Sequence, residues 1–387
     1  MAHVTRAPLI AILLLGAASP AQGRQEFIEF YRGVRAMGMG NAFTALSDDA
    51  DAVFYNPAGI GLNSGVQLRP INPKVEISTD SIKLTKDLSK ASSSGLNADT
   101  MKSLFGKNVY GSGMIYPSVL FPNVTLGYYA GFSAHAVVNN QALPAINLNY
   151  YQDQGLVGGN GFDVKAGKFH HFRFGYTVKA LTRKGVNRVI PITALAAGGN
   201  VTKSLVSASA FGVGVTPGLQ YEHPLSPRTD MVYGVVWHDI GDTKFGTRLS
   251  DVNRAPPSIP SNLAAGAAII QRFGKSEGYN AKFAVEGRHL NRINEDPRKK
   301  MHVGGELEMG RLSIQAGLNQ LRWSAGVALD LWALELAASS YAVENLSLWG
   351  QGTERRYAVQ VTFKLDATSS RDRRTSDYER RKRPRLK

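Results

Sequence analysis

The chain has 387 residues, 43% of them hydrophobic and 19% charged, with 40 Gly and no Cys; that is one large domain or two ordinary ones, with a core that needs no disulfide staples. Forty-five Lys and Arg against 30 Asp and Glu give a formal charge of +15, which taken alone suggests a nucleic-acid or acidic-surface binder, so the position of the charge decides the matter. Fifteen Tyr and 16 Phe beside the high Gly count lean toward a β-rich protein with many turns, and the plentiful apolar residues without a Gly period exclude simple disorder and collagen.

The first 23 residues follow the plan of a secretory leader: Arg6 in a short polar stretch, the apolar block Leu9 to Leu15, then small residues from Gly16 to Gly23. Ala21-Gln22-Gly23 suits cleavage after Gly23, with cleavage after Ala21 as the alternative. The apolar block is far short of the roughly 20 residues a spanning helix needs. The mature chain holds no apolar run of that length either, so an exported protein of this type is soluble or a β-barrel.

Residues 24–64 do not alternate. They carry Gly33, Arg35, Gly38, Met39, Gly40, Ala42, Phe43, Asp48, Asp49 and the run Asn56-Pro57-Ala58-Gly59. On these residues the segment resembles the N-terminal hatch of the FadL/TodX-like long-chain fatty acid transporter superfamily, whose relatives include PorV-like proteins of type IX secretion and conjugal-transfer TraF-like proteins. The resemblance extends through Asp239-Ile240-Gly241 and the stretch from His302 to Leu365. It implies an outer-membrane barrel plugged by residues 24–64, with amphiphilic ligands entering a greasy lumen pocket, shifting the hatch and leaving sideways through the wall.

Met37, Met39, Phe43, Phe54 and Tyr55 are the candidates to line that pocket, being flexible or aromatic surfaces suited to acyl chains; packing within the plug is the competing reading. Asn56, Pro57 and Ala58 complete the expected hatch site, with Asn56 bonding to nearby backbone in a turn. Arg35 with Asp48, Asp49 and Asp51 forms an expected charge network that pins the plug to the lumen, because charges excluded from bulk water need partners. The acidic cluster lacks the spaced oxygen ligands of a calcium loop, and Gly38 to Phe43 has neither the preceding strand nor the third Gly of a dinucleotide loop.

From residue 65 the chain alternates with period two. Phe172, Phe174, Tyr176 and Val178 alternate with His171, Arg173, Thr177 and Lys179; Met231, Tyr233, Val235 and Trp237 with Val232, Gly234, Val236 and His238. The same pattern recurs at Leu312 to Leu318 and Trp323 to Leu329, and closes at Tyr357, Val359, Val361, Phe363 and Leu365. A soluble sandwich would alternate identically, but the leader, the aromatic residues near strand ends and the many hairpins favour a membrane barrel. About fourteen strands fit between residues 65 and 365, with Ser81–Lys107 and Asn187–Lys203 as long loops. Pro117 and Pro122 interrupt ladder bonds in an early strand and are candidates for a gap in the wall or for ordinary strand ends.

No metal-ligand spacing or nucleophile elbow occurs, and His170-His171 point to opposite faces of one strand, so no enzyme, metal or cofactor is expected. After Leu365 the tail, residues 366–387, becomes strongly basic from Arg371 onward, the composition of a solvated segment. In the periplasm its conceivable targets are anionic lipid, cell-wall polymer or an acidic partner, not nucleic acid.

The expected architecture is thus all-β: leader 1–23, hatch 24–64, an antiparallel transmembrane barrel of about 14 strands over 65–365, and a basic tail. The expected function is passive uptake of hydrophobic or fatty-acid-like molecules through an outer membrane of lipid and lipopolysaccharide. The alternative is a non-transporting scaffold that binds secreted proteins or an assembly partner.

Overall fold

The computed structural model describes residues 26–91, 107–139, 145–166, 170–191, 208–248, 255–273, 279–346 and 348–366. Short helices α1 (Val34–Gly38) and α2 (Ala52–Tyr55) and a 3-10 turn (Pro57–Leu62) come first. Then follow β1 (Gln67–Ile71), β2 (Lys74–Ser78), helix α3 (Thr79–Ala91), β3 (Asn108–Ile115), β4 (Ser118–Phe121), β5 (Val124–Asn139), β6 (Ala145–Ala166) and β7 (His170–Pro191). The second half holds β8 (Ala208–Ser226), β9 (Thr229–His238), β10 (Phe245–Arg248), β11 (Asn262–Arg272), β12 (Tyr279–Gly287), β13 (Met301–Met309), β14 (Leu312–Asn319), β15 (Arg322–Leu331), β16 (Leu334–Glu344) and β17 (Thr353–Asp366).

Each strand pairs antiparallel with its neighbours, and β17 pairs with β1 and β2, so the sheet closes on itself. Three positions in the ring are each filled by two strands: β1 and β2 both lie against β17, β3 and β4 against β5, and β9 and β10 against β8. Fourteen positions result, the number expected from the alternation. Closure removes the free edges that an open sheet would expose.

Burial decides which way round the alternation runs. On β17 Tyr357, Val359, Val361, Phe363 and Leu365 are exposed, while Ala358, Gln360, Thr362 and Lys364 are buried. On β7 Phe172, Phe174, Tyr176 and Val178 are exposed, and Arg173, Thr177 and Lys179 are buried. A soluble sandwich buries its apolar face. Here that face points outward all round the ring, the arrangement of a strand wall in lipid.

Two loop expectations change. Asn187–Lys203 is expected as one loop, but β7 runs on to Pro191, with Asn187 to Pro191 paired to Asn149 to Ala145; Val189 and Ile190 favour the strand, and the ladder to β6 carries Asn187 and Pro191 with them. Residues 192–203 lie outside the described residues, as do the leader and residues 367–387. In Ser81–Lys107 the first part forms most of α3, and 92–106 are likewise outside.

At one end of the barrel the connections are tight, as at Pro122-Asn123, Gly310-Arg311 and Trp332-Ala333, and both β1 and the end of β17 lie there. The opposite end carries the longer connections, including α3 and residues 288–300.

Candidate functional site

Residues 26–62 lie inside the ring, bonded to inward-facing groups of strands on every side. Small residues permit this. Gly304 on β13 faces Met39 so closely that an added Cβ would stand 1.9 Å from the Met39 carbonyl oxygen, and Gly40 (φ +65°) would place one 2.4 Å from that of Val303. Backbone is therefore packed on backbone, with the Ser324 hydroxyl donating to Gly38 O at 3.1 Å.

Three ionic networks hold the segment. In the first, Arg35 donates to Asp48 (2.6 Å), Asp49 (2.9 Å) and both oxygens of Glu306 (2.8 and 2.5 Å), while Lys282 joins Asp48 and Glu308 at 2.7 and 2.6 Å. Arg35, Asp48 and Asp49 thus come together, with Glu306, Glu308 and Lys282 of the wall as partners. The Asp51 carboxylate bonds not to Arg35 but to the Tyr31 hydroxyl at 2.9 Å, while its backbone amide donates to Asp49 Oδ1 at 2.9 Å. Burial would raise the Asp48 carboxyl, but Arg35 and Lys282 hold it well below its usual range; burial and the neighbouring Asp49 push Asp51 up to about 7.

The second network joins Glu26 to Arg356 (2.8 and 2.6 Å) and to Arg32, with Arg356 also donating to Glu354 at 2.8 Å. Lys74 bonds to the Arg32 carbonyl and, at 2.7 Å, to Glu76, whose other oxygen accepts from Tyr110 and Tyr341 at 3.0 Å each. In the third, Arg288 bridges Glu29 (3.1 Å) and Glu286 (3.0 Å), and Glu286 accepts from the Thr44 amide and hydroxyl at 2.7 and 2.6 Å. Burial would raise the Glu29 carboxyl, yet Arg288, with His289 and Arg32, keeps it well below its ordinary value.

Asn56 is fully buried and caps the 3-10 turn: its Oδ1 accepts from the Ala58 amide at 3.2 Å, and its Nδ2 donates to the carbonyls of Thr44 and Leu219 at 3.0 Å each. Pro57 occupies the first position of that turn, where its missing N–H costs nothing. The other candidates, Met37, Met39, Phe43, Phe54, Tyr55 and Ala58, are buried in close packing. Neither of the two larger cavities is lined by any of them; Phe54 borders a small one of about 30 Å³.

Phe54 belongs to a cluster that the sequence does not assemble. Tyr31 stacks on it at 4.1 Å, Tyr116 and Tyr129 lie 4.8 and 6.1 Å away, and Phe30 sits 4.6 Å from Tyr129. Tyr116 stands in a break of the wall. The chain leaves the ladder at Asn72-Pro73 between β1 and β2 and, in the next ring position, at Tyr116-Pro117 between β3 and β4. A proline amide cannot donate there. The break is bridged by the Tyr116 amide on Asn72 Oδ1 at 2.6 Å and by the Val361 and Tyr128 amides on the Pro73 and Pro117 carbonyls at 3.0 Å each. Pro122, by contrast, lies in the β4–β5 turn.

Two larger cavities lie beside the segment among the described residues. One, of about 110 Å³, is lined by Phe30, Tyr129 and Met114 on one side and by charged groups including Arg32, Glu76 and Arg183 on the other. The second, about 500 Å³ and polar, opens at the tight-turn end below Asp48, Asp49 and Asp51.

Fold and interior together define an all-β membrane barrel of the outer-membrane type whose lumen is filled by its own N-terminal segment. No protein-family model matches the chain, and no curated protein matches its sequence. Solved structures similar to it include the CymD monoaromatic hydrocarbon channel (12% identity over 87% of this chain and 98% of that one, TM-score 0.47). Others are the Pseudomonas putida toluene transporter TodX (12%, 88% and 99%, 0.44) and the Ralstonia pickettii toluene transporter TbuX (11%, 87% and 98%, 0.45). The barrel itself is established by the strand register and the outward apolar face.

Proposed function

We propose that the chain is an outer-membrane channel for passive uptake of hydrophobic or amphiphilic small molecules, with residues 24–64 as its hatch and the break at Asn72-Pro73 and Tyr116-Pro117 as the lateral way out. The observation that carries this reading is the coincidence of the break with the aromatic cluster of Phe30, Tyr31, Phe54, Tyr116 and Tyr129, three of whose rings come from the hatch. Phe30 and Tyr129 of this cluster also line the neighbouring cavity of about 110 Å³, and Ile71 and Ile115 at the break are exposed on the outer face. A dry cavity that holds benzene is about 150 Å³, so at about 110 Å³ this space admits neither an aromatic ring nor an acyl chain until the hatch moves. The test is uptake of labelled toluene and of a labelled long-chain fatty acid by cells with and without the protein. Equal uptake of both in both strains sinks the transport reading.

One observation favours the scaffold reading: three buried ionic networks lock the hatch into a mostly polar lumen. In that case a specific exported protein would be recovered with the barrel after cross-linking in cells, and uptake would not depend on the protein.

A further inference from the structure

Three histidines gather round the start of the inner segment, at the end of the barrel with the longer connections. His238 closes β9, His289 follows β12 and His302 lies near the start of β13; they are 8, 2 and 2% exposed. His289 Nε2 stands 3.6 Å from Glu29 Oε1, and His302 and His238 each line a small cavity that Glu29 also lines. Because a carbonyl can only accept, His302 Nδ1, 2.9 Å from Gly40 O, carries the ring proton, and its Nε2 is a bare lone pair. That nitrogen, His238 Nε2 and both nitrogens of His289 are buried without a hydrogen-bond partner among the described residues. The His289 ring instead stacks on Phe27 of the segment, the centroids 4.0 Å apart. Such surroundings suit neutral imidazole: a second proton on any of the three rings is a buried charge facing no unengaged acceptor.

Free counter-charge is missing as well. The carboxylates facing the rings are Glu26 and Glu29 of the segment, Asp239 after β9, and Glu286, which lies directly across the ladder from His302. Each is engaged: Glu26 by Arg356 and Arg32, Glu29 by Arg288 and Arg32, Asp239 by Lys179 at 2.7 Å, and Glu286 by Arg288. Arg292, which acts on His289, and Lys299, over the Phe27 ring and 3.9 Å from Glu295, bring more positive charge. Tyr31, on the His238 cavity, is a neutral phenol. Burial holds the His289 imidazole down to about 4, against the pull of Glu29. We propose that the three histidines form an acid latch: neutral, they let residues 26–43 seat against the wall, and once protonated they draw Glu29 away from Arg288 and Arg32 and free that end of the segment. The seated state binds fewer protons than the freed one, so seating is strongest above the ordinary imidazole value of about 6.5 and weakens below it, by up to about tenfold per pH unit for each histidine. Asp51, at the opposite end, takes up its proton in the same range with the opposite effect on stability, so the readout has to be local. The latch acts in the same way whether or not the barrel transports.

The measurement is hydrogen exchange of the full-length protein in detergent micelles at about pH 7 and about pH 5, each rate divided by the intrinsic rate at that pH. Peptides from residues 26–43 should lose about tenfold or more in protection at the lower pH, while the ladder between β6 and β7 keeps its own. His302→Asn, which retains a donor for the Gly40 carbonyl, combined with His238→Gln should cut that loss to about threefold or less, since neither new side chain titrates. Equal protection at both pH values overturns the proposal. So does an undiminished loss in the double variant, or a loss shared by the β6–β7 ladder, which would be global unfolding. A second measurement needs no variant: in nitrogen NMR of labelled imidazoles, three histidines should stay neutral at about pH 6 while the segment is protected. Titration of every imidazole near its ordinary value, with protection of residues 26–43 unchanged, likewise overturns it.

Discussion

Arg356, on the last strand, donates to both carboxylate oxygens of Glu26, the first described residue, at 2.8 and 2.6 Å. The guanidinium is fully buried, lies 3.4 Å from the centre of the Tyr110 ring and also serves Glu354. The start of the inner segment is thereby fastened to the strand that closes the barrel.

Arg356→Ala leaves Glu26 and Glu354 inside the lumen without their main counter-charge. Breaking a buried pair from one side costs about 3–5 kcal/mol. The folded band on a gel should therefore convert to the unfolded one at a distinctly lower heating temperature than in the unchanged protein. A variant with the parent's conversion temperature would show that the pair contributes little.

Asn56→Ala removes one acceptor and two donor contacts at a single buried position: the Ala58 amide loses the Asn56 acceptor, the Leu219 carbonyl loses its side-chain donor, and the Thr44 carbonyl keeps only the longer bond from Gln220 at 3.3 Å. Each unsatisfied buried group costs about 1–3 kcal/mol. The loss falls on the attachment of the segment to β8 rather than on the wall, so hydrogen exchange should rise across residues 44–62 while the ladder between β6 and β7 stays protected. Uniform acceleration of exchange across the barrel would contradict that division.

Much of the wall was legible because a barrel writes its geometry locally: Tyr357 to Leu365 alternate in sequence and in burial alike. What alternation could not supply was which face meets lipid, since a sandwich has the same period; that followed from the exposure of Phe172, Phe174 and Tyr176 beside buried Arg173. Arg35, Asp48 and Asp49 could be grouped because they are near one another in the chain. Glu306 and Lys282 could not, lying more than 230 positions away on strands brought round by closure. Asp51 was grouped with them by proximity in sequence, yet it faces Tyr31. The Met and aromatic candidates illustrate the same limit: apolar character shows that a side chain will be buried, but whether it packs or lines a cavity depends on what the opposite strands contribute.

At the wall break the Asn72 side chain replaces a ladder bond that proline geometry forbids, its Oδ1 accepting from the Tyr116 amide at 2.6 Å. Asn72→Ala should expose that amide to exchange and loosen the junction of β1–β2 with β3–β4 by about 1–3 kcal/mol, the cost of an orphaned buried donor. If the break is the lateral way out, uptake of labelled toluene should become faster. An amide as well protected as before would mean that other contacts hold the gap shut.

Asp51 makes stability depend on pH in a definite sense. Its carboxyl is raised from an ordinary 3.8 to about 7 by burial and by Asp49, against the weaker pull of Arg69 and Lys74 and the hydrogen bond from Tyr31. Between about pH 4 and pH 7 the folded protein therefore keeps a proton that the unfolded chain releases, so this group's contribution to stability falls as pH rises through that window and returns on acidification. Asp51→Asn retains an oxygen for the Tyr31 hydroxyl and removes the charge. It should leave the protein unchanged at pH 4 and stabilise it by about 1 kcal/mol at pH 8, a figure reduced by screening from the open cavity. Thermal unfolding midpoints of both proteins across pH 4–8 give the comparison. Parallel curves, with no gap opening above neutrality, would mean that Asp51 is already ionised and paired in the folded state.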